Sequence, residues 1–323
     1  MIPAKLRRPV SPFVQGLRRC HGKYMTVVAG FVNPSVVVLA ADSREVISDY
    51  SKRRTKKIRV YENATWRIGI AGSSDHSAYL DLFEQELVDK LRIAQETDGP
   101  KLFSLIKGTV HQIHKQHIWP RRWDRPSIQM LIAVQSLNPE DGAPSLIVTE
   151  DSAVLRVSGY RCVGIGQHMA DYLAKAIFPF DDDIRESPPE RLVNAGVFLI
   201  REVKKAIHGC DDETNVAVFS RNGEFKFCNM FELAMIDNWL TTLAYSNAQL
   251  FKAVVNPHMD EDKFLKAWEG VKQQIENLRK GQIGQMGTGI IADIFTPSKD
   301  SPLRKEGVKR IRPSVPRKSK GRQ

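Results

Sequence analysis

Two apolar runs near the start constrain the fold of this chain more than any other feature. TVVAGFV (26–32) and SVVVLAAD (35–42) flank Asn33-Pro34-Ser35, a turn signal, so the pair reads as a β-hairpin. KKIRVYE (56–62) and WRIGIAG (66–72) flank Asn63-Ala64 and read as a second one. Helical spacing of apolar positions predicts a helix from about Asp75, and another begins near Pro100. Strands return at SIQMLIAVQSL, SLIVTE and AVLRVSGY, followed by helices near 167–178 and 188–208. In TNVAVFSRNGEFKFCN, Asn222-Gly223 separates two further strand-like runs. Strands and helices thus come in blocks without regular β–α alternation, which predicts α+β layers and argues against a parallel sheet.

Four segments are expected: an extension at 1–25, a folded domain at 26–231, a helical appendage at 232–281 and a disordered basic tail at 282–323. The formal charge of +11 resides at the two ends. Residues 1–25 carry six Lys/Arg and no acids, and 295–323 carry ten Lys/Arg against Asp300 and Glu306. The body between them has 32 basic and 35 acidic residues, so a folded nucleic-acid-binding face is not expected. The tail could touch nucleic acid only nonspecifically. Cys20, Cys162, Cys210 and Cys228 are scattered without a CxxC pair and read as reduced thiols of a cytoplasmic protein. No apolar run reaches membrane-spanning length, and the first 25 residues lack a secretory core. There is no Walker A lysine motif, so any ATPase unfoldase is a separate chain.

Centring the first turn on Pro34 sets Thr26 opposite Asp42, a hydroxyl beside a carboxylate. The second hairpin opens at Lys56-Lys57 and closes at Gly72-Ser73-Ser74-Asp75, where an open backbone N–H could meet a developing oxyanion. Singly, these residues have ordinary readings: a β-forming threonine, a capping aspartate, a solvated lysine, a turn glycine. His111, His114 and His117 spread too far around a helix for one metal site, and Asp181-Asp182-Asp183 reads as a loop before a helix. WPRRWDRP mixes aromatic and basic residues but stands directly before a strand, as a structural loop would.

Taken in order, TVVAGFVNPSVVVLAADSR, TKKI and IAGSSDHSAYL resemble the opening of a proteasome β-type subunit of the N-terminal-nucleophile hydrolases. RPSIQMLIA, VGIGQHMADYL and TNVAVFSRNGEF extend the resemblance over about 200 residues, with a bacterial proteasome-like homologue as one form of it. The resemblance implies a four-layer αββα sandwich and a threonine-type peptidase acting on polypeptides inside a self-compartmentalised homo-oligomer. It implies no metal or organic cofactor and no membrane. By match, Thr26 is nucleophile and base, Asp42 holds Lys57, Lys57 tunes the site, Gly72 stabilises the oxyanion, and Glu45 and Ile70 border the substrate pocket. The alternatives are a catalytically inactive structural subunit of such an assembly and a protein working through its basic tails.

A free α-amine, with a reference pKa of about 7.7–8.0, can take the hydroxyl proton near neutrality. An amide nitrogen cannot, so the chemistry needs Thr26 as first residue. Family precursors expose their threonine after a glycine, whereas Met25 precedes it here. Met25 as the initiator, removed ahead of a small residue, accounts for both facts; a propeptide is the other reading. Two further departures are Ile165, where many active subunits carry serine, and the loop HGCDDETN, in which neither Asp211 nor Asp212 aligns with the usual Asp-x-x-Ser.

Overall fold

A computed structural model describes residues 26–286, apart from 49–50, 55, 76, 94–97, 122–124, 208–209, 211–212 and 256–258, together with 308–310. Strands β1 (Val27–Val32) and β2 (Val36–Asp42) are buried over almost their whole length, Val32 alone being intermediate. Such unbroken apolar runs require cover on both faces. Alternate side chains divide accordingly. Val27, Ala29, Phe31, Val36, Val38 and Ala40 face a helical layer, while Val28, Val37, Leu39 and Ala41 face a second sheet.

The first sheet has the order β10-β1-β2-β11-β12, with β10 at Gly159–Gly164, β11 at Thr214–Ser220 and β12 at Phe225–Phe227. The second has the order β13-β5-β6-β7-β8-β9. Its strands are β5 (Arg59–Glu62), β6 (Trp66–Ser74), β7 (Ile128–Ser136), β8 (Ser145–Glu150), β9 (Ala153–Val157) and β13 (Val308–Arg310). Helices α1 (Ser77–Ile93) and α2 (Gly99–Ile113) cover its outer face through Phe83, Leu87, Leu102 and Ile106. The outer face of the first sheet carries α3 (Gln167–Ile177), α4 (Asp181–Arg185) and α5 (Pro189–Ala206). The chain is therefore α+β, layered α-β-β-α, with a C-terminal helical hairpin of α6 (Met230–Val254) and α7 (Glu261–Met286).

The layers lie close. A Cβ on Gly69 would stand 2.2 Å from the Phe219 ring, so glycine there lets the two sheets meet. Both sheets are antiparallel except where Val308–Arg310 joins the β5 edge in parallel. That short strand, like residues 282–286 at the end of the last helix, lies within the segment expected to be disordered; the rest of the tail, and the extension at 1–25, lie outside the described residues. Two other elements depart from the sequence reading. Arg44–Ser48 (β3) and Ser51–Arg54 (β4) form a small separate hairpin, and Asp181-Asp182-Asp183 opens α4 instead of a loop.

Candidate active site

The open ends of the two hairpins meet at one edge of the sandwich. Thr26 precedes β1, Asp42 ends β2, Lys57 precedes β5, and Gly72 lies near the end of β6. The first hairpin has a register one residue from the expected one. Val28 faces Ala41 and Ala29 faces Ala40, because Pro34-Ser35 forms the turn and the Asn33 side chain accepts from the amides of Ser35 and Val36. Asp42 consequently stands by Val27, whose amide donates to Asp42 Oδ1 at 3.1 Å.

Thr26 and Asp42 are joined through lysine instead of by direct opposition. Lys57 Nζ donates to both carboxylate oxygens of Asp42 at 2.9 Å and to Thr26 Oγ1. The Asp42 side chain is fully buried and that of Lys57 nearly so. Burial raises the Asp42 pKa above its ordinary value, and the Lys57 ammonium, the Val27 amide and the charge of Lys204 oppose the rise. Behind Asp42, burial and the neighbouring carboxylate push the Cys210 thiol up to about 12, so this cysteine stays protonated.

Thr26, Lys57, Ile70 and Gly72 border one narrow cleft of about 50 Å³. β5 ends its pairing with Arg59 opposite Ile70, whereas β6 runs on to Ser74 paired only with β7. The described β5–β6 ladder therefore stops before Ala71, and beyond it this edge of β6 runs along the cleft. Gly72 is confined there: a Cβ would approach Gln129 O at 2.7 Å, Met130 Cγ at 2.9 Å and Leu80 Cδ2 at 3.0 Å.

Of the expected pocket residues, Ile70 lines the cleft. Glu45 lies on β3, its side chain outside the described residues, as are Asp211 and Asp212. Ile165 occupies the turn ahead of α3 and is 43% exposed. Several contributors are not legible in the sequence. Arg59 and Glu84 form one wall, where Arg59 Nη1 donates to Glu84 at 2.7 Å and to Asp81, and the Tyr61 hydroxyl donates to Glu84 at 2.7 Å. Gly164 pairs with Val27 at φ +97°, and a Cβ there would fall 2.2 Å from Thr26 O. The motif VGIGQ holds that glycine, but only the register shows why it must be one.

A larger groove, about 560 Å³, runs between α5 and α6. Two of its cations are committed to carboxylates, Arg201 to Asp237 at 3.1 Å and Lys205 to Glu202 at 2.7 Å. Thr214 accepts from Lys204 there, but Thr214 lies within β11 and has no free amine to serve as a base. Among the described residues no group of three or more His, Cys, Asp or Glu side chains could hold a metal ion. No described helix is long and apolar enough to cross a membrane.

No protein-family model matches this chain, and no curated protein does. Solved structures match it in fold. Anbu (ancestral beta-subunit) from Yersinia bercovieri superposes with a TM-score of 0.56 at 11% identity, over 69% of this chain and 96% of that one. Anbu from Hyphomicrobium sp. strain MC1 gives 0.54 at 10% identity, over 72% and 99%. The Anbu complex from Pseudomonas aeruginosa, described as a helical assembly, gives 0.54 at 11% identity, over 69% and 96%. These matches correct the resemblance read from the sequence. The neighbours are Anbu proteins, not proteasome β-type subunits, and identities of 10–11% carry the fold alone, without membership of a family.

Proposed function

We propose that this chain, once Thr26 is its first residue, is a threonine hydrolase that cleaves peptide bonds by an acyl-ester route. One observation carries the reading: the ammonium of Lys57 bridges a buried carboxylate and the hydroxyl of Thr26. The α-amine of Thr26 takes the Oγ1 proton as the oxygen attacks the carbonyl carbon. The nearby Lys57 charge keeps that amine neutral by like-charge repulsion. The Gly72 N–H is assigned to the carbonyl oxygen as it becomes an oxyanion. Collapse of the tetrahedral adduct breaks the C–N bond, and the leaving amine departs with the proton. Water then attacks the ester, returning the acid product and Thr26 Oγ–H.

An extended peptide suits the cleft because the β6 edge beyond Ile70 offers backbone groups for strand addition. Assembly into a closed or helical oligomer is the companion proposal, supported by the fold shared with the helical Anbu assembly of P. aeruginosa. A cytoplasmic setting is supported by Cys162, Cys210 and Cys228, which are unpaired thiols. The second reading, a silent structural subunit, is favoured by Ile165 in the turn beside Gly164.

The test is fluorogenic peptide-amide hydrolysis by a chain beginning at Thr26. Thr26→Ala should lower the rate by at least about a thousandfold. An unchanged rate in that variant refutes the nucleophile assignment, and absence of hydrolysis in the parent chain favours the silent subunit.

A further inference from the structure

The hairpin of α6 and α7 has its apolar residues in an inverted arrangement. The two helices run antiparallel, with Ser246 Oγ bonded to Gln274 across the seam. Buried along that seam are the small or medium residues Ser246, Ala253 and Val271. Leu250, Phe264 and Leu278 are half-buried, but six other large ones flanking the seam stand outside: Leu243 is 38% exposed, Phe251 66%, Val254 62%, Leu265 49%, Trp268 45% and Ile275 43%. A pair of helices that leaves six bulky apolar side chains in water lacks the burial that normally holds such a pair together.

These residues form one face. At about 100° per residue, Leu243, Phe251 and Val254 fall within an arc of roughly 80° on α6. Leu265, Trp268 and Ile275 fall within a similar arc on α7. Both arcs lie on the same rotational side of the seam, and antiparallel helices then open them to the same side of the hairpin. On α6 this is also the side on which Ile236 and Leu240 pack against the body, so the face begins where the body ends.

We propose that this face binds the same face of a second copy of the chain, forming a four-helix contact about a two-fold axis. Two arguments select that occupant. The six side chains leave on the order of 600 Å² of apolar surface free, most of the ~800 Å² that one partner supplies to a standard interface. Within and around this arc α7 carries exposed charges of both signs, Lys263, Lys266, Lys272, Arg279 and Lys280 against Glu261, Asp262, Glu269 and Glu276, with Glu261, Lys272 and Arg279 inside the arc itself. A charge set so nearly balanced meets its own copy without net repulsion, as self-association requires. The proposal is independent of the chemistry at Thr26.

Sedimentation of the full chain tests it. The wild type should sediment as an even-numbered assembly. Trp268→Asp with Ile275→Asp should halve the mass with helical content unchanged, while Trp268→Phe should keep the assembly. If the double variant loses helicity, deuterium uptake by the wild type on dilution is the second measurement. Uptake at 243–275 should rise several-fold as the mass halves. A monomeric wild type overturns the proposal and assigns the face to the chain's own 287–307 segment. Retention of the assembly by a folded double variant also overturns it, as does halving of mass with unchanged uptake.

Discussion

Asp42 is a buried carboxylate whose hydrogen-bonded cation is Lys57, with the charge of Lys204 acting on it as well. Removing Lys57 strands a charge inside the protein, so Lys57→Ala should cost about 3–5 kcal/mol at neutral pH. The loss should shrink on acidification as Asp42 takes up a proton, and urea titrations at two pH values measure both quantities. The pH dependence of the intact protein has two opposite signs. The folded pKa of Asp42 is raised, so its contribution favours the fold below the ordinary carboxylate range and is withdrawn as pH rises through the raised value. Hydrolysis runs the other way, because a neutral Asp42 no longer holds the Lys57 charge. A rate profile should therefore fall on its acid side at a pH above about 3.9, the unperturbed value. In Asp42→Asn the Asp42 component should vanish, leaving only the limb set by protonation of the Thr26 α-amine, and the plateau should drop; a profile unchanged by the substitution refutes the role of Asp42.

The elements carry the site by where they end, and the glycines show how tightly. Gly164→Ala combines a positive φ with a collision against Thr26 O, so a loss of at least about 2 kcal/mol and slower hydrolysis are expected. Gly108→Ala is the contrast: nothing lies within 4 Å of its would-be Cβ on an exposed face of α2, and a gain of roughly 0.5–1 kcal/mol is expected. Thermal melts of the two variants decide both. The same geometry explains what could be read from sequence. Strands such as SLIVTE (145–150) announce themselves because their apolar content is local, and the same pattern puts Thr26, Asp42, Lys57 and Gly72 at hairpin ends, while the roles given to them come only from the family resemblance. The register of the first hairpin differs by one from a turn centred on Pro34 because the turn is set by the side-chain bonds of Asn33. β3–β4 escapes a sequence reading since REVIS (44–48) and SKRR (51–54) show no regular apolar alternation, and the Arg59–Glu84–Tyr61 wall because it joins a strand to a helix of another layer.

At the scale of the molecule, layers, cleft and hairpin divide the work. The sandwich fixes four residues from two hairpins at one edge, the β6 strand runs on past its β5 neighbour beside the cleft, and the C-terminal hairpin presents the apolar face. Everything chemical in this scheme depends on one nitrogen, that of Thr26. Its state is read most directly by intact mass after treatment with a threonine-directed peptide electrophile, applied to a chain that begins at Thr26 and to one that retains residues 1–25. The expected result is a single adduct on Thr26 in the first, and none in the second or in Thr26→Ala. Equal labelling and peptide cleavage by the chain that keeps residues 1–25 attached would contradict the account.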